Sequence, residues 1–202
     1  MKLYFSPGAC SMAAHIVLLE SGLPHTTEQV DLRSKTTASG ADFRKINPNG
    51  YVPALELKDG TVLTEGPAIV QFLADLKPDS QLAPANGTLE RYQMAALLNF
   101  ISSELHKNFS PLFDPQAGAE AQGARRAVLA QRFAFIEQAL AGKHFLTGDT
   151  FSVADAYLFT VSNWAGVVDV DLSDFTNLQA WQARVGMRPA VQAALRAEGL
   201  LK

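Results

Sequence analysis

The pattern of apolar and polar positions changes character along this 202-residue chain. In the first third, short extended runs alternate with helical patterns, whereas the rest carries helical patterns only. Extended runs are predicted at residues 2–5, 26–31, 54–58 and 61–63, and the last two flank Asp59-Gly60, a pair that favours a tight hairpin turn. A first helix is predicted to have Cys10 and Ser11 in its first turn and to end at Gly22, and a second from Pro67 onward, with a short helical piece near residues 41–46. The order of elements is βαβ followed by ββα.

Residues 78–87 form a stretch rich in turn formers and poor in large apolar groups, which predicts a linker. After it, helices are predicted at residues 88–110, 122–141, 153–170, 177–186 and 190–198. Ser152 and Asp155 fit an acidic capping box at the start of the third of these helices. We therefore expect an α/β domain at residues 1–77, a linker at 78–87 and an all-helical domain at 88–202.

Charge and composition narrow the class of partner. The formal net charge is −3, and no block of basic residues is present to neutralise phosphates, so nucleic acid is not an expected partner. No run approaches the roughly 18 apolar residues of a membrane span, and the chain starts without a signal segment. A single cysteine excludes an internal disulfide and agrees with a reducing compartment. The expectation is a soluble cytoplasmic protein without a membrane partner.

Cys10, the only cysteine, lies where the first predicted strand turns into the first predicted helix. Free amide hydrogens and the positive end of the helix dipole favour a thiolate in the first turn of a helix. Cys10 is therefore a candidate nucleophile. The alternative is a small buried apolar side chain, because cysteine is among the most buried residue types.

A second candidate lies within the helix predicted at residues 88–110. Asn99, Ser103 and His106 are spaced i, i+4 and i+7, so they are expected on one face. The opposite, core-facing side carries Met94, Leu97, Leu98, Ile101 and Leu105. Such a polar stripe is usually a solvated face. The alternative is that His106, followed by Lys107, hydrogen-bonds or electrostatically supports a thiolate.

Four segments resemble the beta class of bacterial glutathione S-transferases: SPGACS, GYVPAL, LTEGPAIVQFLAD and NFISSELHK. The resemblance runs along nearly the whole chain and includes the later segment SVADAYLF. It implies a thioredoxin-like N-terminal domain followed by an all-helical C-terminal domain, a homodimer, and glutathione bound beside a cysteine. It also implies a cis bond between Val52 and Pro53, which the spacing of residues does not predict by itself.

The resemblance implies a role for five residues of the N-terminal domain. Cys10 lies next to the glutathione sulfur, where a mixed disulfide can form, and the backbone of Val52 meets the peptide part of glutathione. Lys35 meets a carboxylate of the ligand. Glu65 accepts the γ-glutamyl ammonium, and the amide of Gly66, at a helix start, suits the neighbouring carboxylate.

Two of these assignments carry reservations. Many thioredoxin-like transferases have serine where this chain has Gly66, so the backbone donor is kept and a hydroxyl is lost. Glu65 taken alone is an ordinary first-turn acid.

In the helical half, the resemblance implies that Asn99, Ser103 and His106 line the same site. Glu104 is expected to contact ligand across the dimer, although which subunit supplies which side chain stays open.

Other chemistries lack support in the sequence. Cys10 has no second cysteine in a Cys-x-x-Cys pair, the four histidines show no zinc spacing, and there is no Gly-rich phosphate loop. No metal is expected, and no cofactor besides glutathione as co-substrate. Aromatic residues that border an apolar pocket or simply fill the core are Phe109, Phe113, Tyr157, Phe159 and Trp164.

Two functions stay open at this point. The first is a detoxifying enzyme that activates the glutathione thiol for attack on a small apolar electrophile or a disulfide, by conjugation, reductive dehalogenation or thiol exchange. The second is a non-catalytic protein that binds glutathione or hydrophobic compounds. Fold alone does not separate them.

Overall fold

The computed structural model describes residues 1–201 and divides the chain into two compact units. The first unit consists of Met1–Ala83 together with the residues from Met187 onward, and the second is Pro84–Gly186. The division at Ala83 falls inside the predicted linker. The end of the chain, assigned from sequence to the helical domain, lies in the first unit instead.

The first unit contains a five-stranded mixed sheet with strand order β3-β2-β1-β4-β5. The strands are β1 (Lys2–Phe5), β2 (Thr26–Asp31), β3 (Thr36–Thr37), β4 (Ala54–Glu56) and β5 (Val62–Thr64). β1 pairs in parallel with β2 and antiparallel with β4, so Leu3 is opposite both Thr27 and Leu55. The two-residue strand β3 is too short to leave an alternating pattern and was not predicted.

The first unit has two helices next to these strands: α1 (Met12–Ser21) connects β1 to β2, and α2 (Gly66–Leu76) follows β5. α1 ends at Gly22, whose φ of 66° is a left-handed conformation that glycine adopts without steric cost. The piece predicted at residues 41–46 is a 3₁₀ turn, Phe43–Lys45. One face of the sheet packs a cluster of buried residues: Tyr4, Val30, Phe43, Val52 and Ala54.

The second unit is helical, and its first helix changes type. α3 (Leu89–Phe100) continues into a π-helical segment, Ile101–His106, then into the short helix α4 (Lys107–Phe109) and a 3₁₀ turn, Ser110–Phe113. The remaining helices are α5 (Ala119–Leu140), α6 (Val153–Ser162) and α7 (Thr176–Gly186). The helix predicted at residues 153–170 is shorter than expected, because a 3₁₀ turn, Asn163–Gly166, follows Ser162.

The last helix, α8 (Pro189–Ala197), packs against α1 of the first unit. A bidentate ion pair joins Arg188 to Glu20, with distances of 2.6 and 2.9 Å. Just beyond α8, the buried Glu198 carboxylate lies 2.9 Å from His15 Nδ1. These contacts explain why the chain end belongs to the first unit. Over residues 1–201, no helix is both long and apolar enough to cross a membrane.

Candidate functional site

Cys10 lies in the loop between β1 and α1, and its side chain is partly exposed. The loop is closed by two backbone contacts of Ser6, which accepts the amide of Ala9 at 3.0 Å and donates its own amide to Ser11 Oγ at 3.2 Å. α1 begins at Met12, with Ser11 as its N-cap. The prediction that Cys10 lies in the first turn of the helix is therefore wrong by two residues, because this serine-closed turn delays the helix.

The Cys10 Sγ lies 3.0 Å from the carbonyl oxygen of Val52. Because a carbonyl oxygen only accepts hydrogen bonds, this contact needs the proton to be on Sγ and stabilises the thiol form. Formation of a thiolate at Cys10 requires this hydrogen bond to break. The same contact brings together two of the residues that the resemblance assigns to glutathione.

Val52 joins Pro53 through a cis peptide bond, as the resemblance implies. The preceding loop is fastened by the buried Asn47, whose Nδ2 donates to the carbonyl of Tyr51 at 2.7 Å. The amide of Gly50 donates to the carbonyl of Asn47 at 2.8 Å. Asn47 thus holds the segment that presents the Val52 backbone beside Cys10.

Lys35 lies in the turn between β2 and β3 and contacts the same loop. Its Nζ donates to the carbonyl of Gly50 at 2.9 Å and lies 5.8 Å from the centre of the exposed Tyr51 ring. Its backbone is left-handed, with a φ of 58°. An ammonium group carries three N–H donors, so the contact with Gly50 leaves donor capacity for an anion.

Glu65 and Gly66 lie at the start of α2. Glu65 is exposed and has a φ of 68°, a conformation that costs a non-glycine residue about 1–3 kcal/mol and is often found at binding sites. Its carbonyl accepts the amides of Ala68 and Ile69, both at 3.0 Å, as is usual for the residue before a helix, and its side chain makes no capping hydrogen bond. This backbone strain distinguishes Glu65 from an ordinary first-turn acid.

Gly66 is the first residue of α2, and a Cβ added to it would lie 3.9 Å from Pro53 Cγ. That distance is an ordinary van der Waals contact, so space does not demand glycine here. The same distance shows that the start of α2 lies close to the cis proline. In the first unit, the structure therefore brings Gly66 near the Val52-Pro53 segment that contacts Cys10.

His106 ends the π-helical segment of the second unit. Its Nδ1 lies 2.7 Å from Tyr157 Oη, and its ring meets the Trp164 ring at 68° with the centroids 4.9 Å apart. Burial, and after it the positive charge of Lys107, lowers the pKa of His106 from 6.5 to about 4. His106 is therefore neutral near pH 7 and offers hydrogen bonding rather than charge.

The predicted polar stripe does not persist through His106. In a π-helix each residue turns through a smaller angle than in an α-helix, so the segment Ile101–His106 shifts His106 relative to Asn99. Asn99 and Ser103 are exposed, whereas His106 is half-buried and packs against Tyr157 and Trp164. The expectation that all three share one face was wrong, because it assumed a regular α-helix from residue 88 to 110.

The other two polar candidates of this region make contacts within the second unit. Ser103 Oγ donates to the carbonyl of Asn99 at 2.9 Å. Glu104 Oε2 accepts Arg132 Nε at 2.6 Å, in a pair whose two side chains are each 39% exposed. Such a half-exposed pair contributes little stability and can be exchanged for another partner.

The aromatic candidates divide into two groups. Phe109, Phe113 and Trp164 pack edge to face beside His106, with centroids 5.7 and 5.8 Å from Trp164, and Phe113 is 47% exposed. Phe159 packs instead against Trp181, at 6.5 Å. The first group presents an apolar surface next to His106.

Sequence reasoning missed two residues that hold these candidates in place. Tyr157 was named only as a possible pocket or core residue, although it bonds His106 directly. Glu198 accepts the amide of Gly8, in the Cys10 loop, at 2.9 Å. Neither pairing leaves a local signal, because the partners are separated by 51 and 190 positions.

Comparisons with known proteins agree with this arrangement. Residues 7–76 match the glutathione S-transferase N-terminal domain, and residues 100–189 match the glutathione S-transferase C-terminal domain. The glutathione S-transferase GstA of Escherichia coli O157:H7 is 47% identical over 200 residues, which are 99% of this chain and all of that relative.

Solved structures are similar over the same length. A ternary complex of BphK, a bacterial GST, has a TM-score of 0.98 at 57% identity, over 99% of this chain and all of that one. The bacterial beta-class glutathione S-transferase of Sphingomonas chungbukensis has a TM-score of 0.96 at 46% identity, over all of both chains. The beta-class resemblance and the predicted fold are thereby confirmed.

Proposed function

Because the chain belongs to the glutathione S-transferase family and is a transferase, we propose that it activates the glutathione thiol for attack on small apolar electrophiles. We propose further that Cys10 adds thiol–disulfide exchange. The observation that carries the proposal is the contact of the partly exposed Cys10 thiol with the Val52 backbone, in a chain similar to glutathione transferases from end to end. The alternative of a binding protein without turnover has no observation in its favour.

In the proposed complex, glutathione is the co-substrate and its peptide group pairs with the backbone of Val52. Lys35 binds a carboxylate of glutathione with the N–H donors of its Nζ that the contact with the Gly50 carbonyl leaves unused. Glu65 accepts the γ-glutamyl ammonium, and the amide of Gly66 binds the neighbouring carboxylate at the positive end of α2. The strained backbone of Glu65 supports its assignment to the ligand.

Four residues of the second unit complete the proposed set. His106 donates a hydrogen bond to a thiolate, and Asn99 and Ser103 offer exposed polar groups to the ligand. Glu104 contacts glutathione of the other subunit when it leaves Arg132. The exposed Phe113, beside Trp164, supplies an apolar surface for the electrophile.

In conjugation, the glutathione thiolate forms a bond between its sulfur and an electrophilic carbon. The bond from that carbon to its leaving group breaks, the leaving group departs with the electron pair, and the thiol proton passes to solvent. In reductive dehalogenation, a second glutathione thiolate attacks the sulfur of this conjugate. Glutathione disulfide forms, the carbon takes a proton from water, and the carbon–halogen bond has been replaced by a carbon–hydrogen bond.

In exchange, the Cys10 thiolate attacks a disulfide, forms a new S–S bond with one sulfur and releases the other as a thiolate that takes a proton. When the mixed disulfide contains glutathione, a further glutathione thiolate releases Cys10 and forms glutathione disulfide. For a substrate disulfide between a thiol R–SH and glutathione, the net result is that one glutathione thiol is oxidised, R–SH is released and glutathione disulfide forms. A reducing compartment such as the cytoplasm suits this cycle, because both thiols must be kept reduced.

We also propose that two chains form a homodimer. Leu89 on α3 and Phe135 on α5 have 67% and 48% of their surface exposed in the single chain, and burying such side chains against a second copy is favourable. Phe135 stacks on Phe100, with centroids 4.6 Å apart, so this region presents a firm apolar surface to a second copy.

The test distinguishes the reactions of the Cys10 thiol from those of the glutathione thiol. We expect Cys10→Ala to lower kcat/KM for a small disulfide by about 100-fold or more and to leave conjugation of an aromatic halide within about 10-fold of the wild type. His106→Ala should lower both reactions by about 10-fold, since it removes one hydrogen-bond donor. The matched control is His144→Ala, which removes an exposed histidine of the second unit and should change neither reaction.

Equal loss of both reactions in Cys10→Ala would contradict the division of labour and give Cys10 one common role. Unchanged kinetics in His106→Ala would remove His106 from the proposed site. No measurable turnover of either substrate by the wild-type protein, against a reaction without enzyme, would overturn the proposed reactions.

A further inference from the structure

The hydrogen bond between His106 and Tyr157 joins two side chains of the second unit. Tyr157 lies on α6 with 2% of its surface exposed, and its Oη is 2.7 Å from His106 Nδ1. His106 is neutral near pH 7, because burial lowers its pKa to about 4. A neutral imidazole carries one N–H and one nitrogen lone pair, so the position of its single proton decides what the ring can do.

The chemistry of the pair decides which group donates. A phenol gives up its proton far more readily than a neutral imidazole gives up its N–H, so the phenol is the better donor and the imidazole nitrogen the better acceptor. The donor–acceptor distance of 2.7 Å is at the short end of the usual range, as expected for O–H donating to nitrogen. Tyr157 Oη–H therefore donates to Nδ1, and the imidazole proton lies on Nε2.

We propose that Tyr157 is a positioning residue that holds His106 as the Nε2–H tautomer, so that His106 presents a hydrogen-bond donor to an anionic sulfur and no acceptor. This inference rests on the proposed function only in giving His106 a thiolate as its partner. The state of the imidazole itself does not depend on that function.

The imidazole ring of His106 also packs against an aromatic side chain. Trp164, which follows α6 by one 3₁₀ turn, packs edge to face on His106 with centroids 4.9 Å apart. The π-helical segment Ile101–His106 turns the histidine toward α6 rather than along the exposed stripe of Asn99 and Ser103. α6 thus supplies Tyr157, which donates to Nδ1, and the turn that follows α6 supplies Trp164, which packs against the ring.

The consequence for mechanism is a restriction. A histidine that presents Nε2–H cannot take a proton at that nitrogen, so it does not act as a general base toward a thiol. It stabilises a thiolate once formed, and it does so without a change of charge. The thiol proton is expected to pass to solvent and not to His106.

The first measurement reads the tautomer directly. Long-range ¹H–¹⁵N spectra of the ¹⁵N-labelled wild-type protein at pH 7, with His106 assigned through His106→Gln, are expected to show Nδ1 unprotonated and Nε2 protonated. In Tyr157→Phe, Nδ1 loses its donor, and both nitrogens should move toward values averaged between the two tautomers. A protonated Nδ1 in the wild type, or an unchanged His106 spectrum in Tyr157→Phe, overturns the proposal.

The second measurement asks whether Tyr157 acts through His106. Tyr157→Phe is expected to lower kcat/KM for an aromatic halide by about 5- to 10-fold, but to have no further effect in a His106→Ala background. The control, Tyr92→Phe, removes a phenol hydroxyl at a 65% exposed position and should leave the spectrum and the rate unchanged. Equal losses in the two backgrounds would show that Tyr157 does not act through His106. If His106→Ala has no kinetic effect, the role of His106 in the proposed function fails, while the spectrum still decides the tautomer.

Discussion

At the scale of single residues, each of the two candidate catalytic side chains has one feature that favours its uncharged form. Val52 accepts a hydrogen bond from the Cys10 thiol, and burial keeps His106 neutral. A neutral His106 offers a thiolate hydrogen bonding and not the charge of an imidazolium. The sequence does not decide between hydrogen bonding and electrostatic support by His106, because the charge of the imidazole depends on its burial.

The depressed pKa of His106 makes stability depend on pH. The folded pKa is about 4 and the reference value is 6.5, so between these values the unfolded chain binds a proton that the folded protein does not. Stability should fall as pH is lowered from about 6.5 to 4, by up to ~3 kcal/mol from this residue. We expect urea unfolding midpoints of the wild type to drop more steeply over this range than those of His106→Gln.

The matched control for this titration is His144→Gln, since His144 is exposed. Its unfolding midpoint should follow the wild type at every pH. The same slope for His106→Gln and the wild type would contradict a folded-state His106 that stays neutral over this pH range.

At the scale of elements, one carboxylate fastens the start of α6 to its neighbours. Asp155 is fully buried and accepts four hydrogen bonds of 2.8 to 3.0 Å, from Ser152 N, Ser152 Oγ, Leu146 N and Trp181 Nε1. Burial raises the pKa of Asp155, and the donors act against that shift. The capping box predicted from Ser152 and Asp155 is present, and it extends to Trp181 on α7.

We expect Asp155→Ala to lower the free energy of unfolding by about 3–5 kcal/mol, because four buried donors lose their acceptor at once. Urea unfolding followed by tryptophan fluorescence measures this loss. The control, Asp149→Ala, removes an exposed aspartate from the same connection between α5 and α6 and should change stability by less than about 0.5 kcal/mol. Similar losses in the two variants would mean that the network around Asp155 is not a main source of stability.

At the scale of the whole molecule, the end of the chain supports its beginning. Glu198 has a fully buried carboxylate that lies 2.9 Å from both His15 Nδ1 and the amide of Gly8. Gly8 belongs to the loop that carries Cys10. The residue that follows the last helix therefore holds the loop of the candidate nucleophile within the first unit.

Removing that carboxylate in Glu198→Ala should cost about 2–4 kcal/mol of stability and speed amide exchange in the Cys10 loop. Hydrogen–deuterium exchange followed by mass spectrometry, on peptides that cover residues 5–12, measures the second effect. Glu90→Ala, which removes an exposed glutamate, serves as the control and should leave that exchange unchanged. Wild-type exchange in the Glu198→Ala loop would show that the loop is held without the carboxylate.

The sequence by itself determined the elements whose causes are local. The strands at residues 2–5 and 26–31 and the end of α1 at Gly22 follow from alternation and from one glycine, and they lie where predicted. The capping box at Ser152 joins residues three positions apart, so a short segment contains its whole signal. The family resemblance added the cis bond before Pro53, which no local pattern predicts.

Only the tertiary structure decided how the candidate residues are used. Three features have no local signature in the sequence. They are the π-helical segment that shifts His106 relative to Asn99, the hydrogen bond between Tyr157 and His106, and the place of α8 in the first unit. Each depends on packing between residues far apart in sequence, and burial then sets the protonation state of His106. Local patterns specify short-range backbone preferences, whereas the state of a reactive side chain depends on the groups that the folded chain places around it.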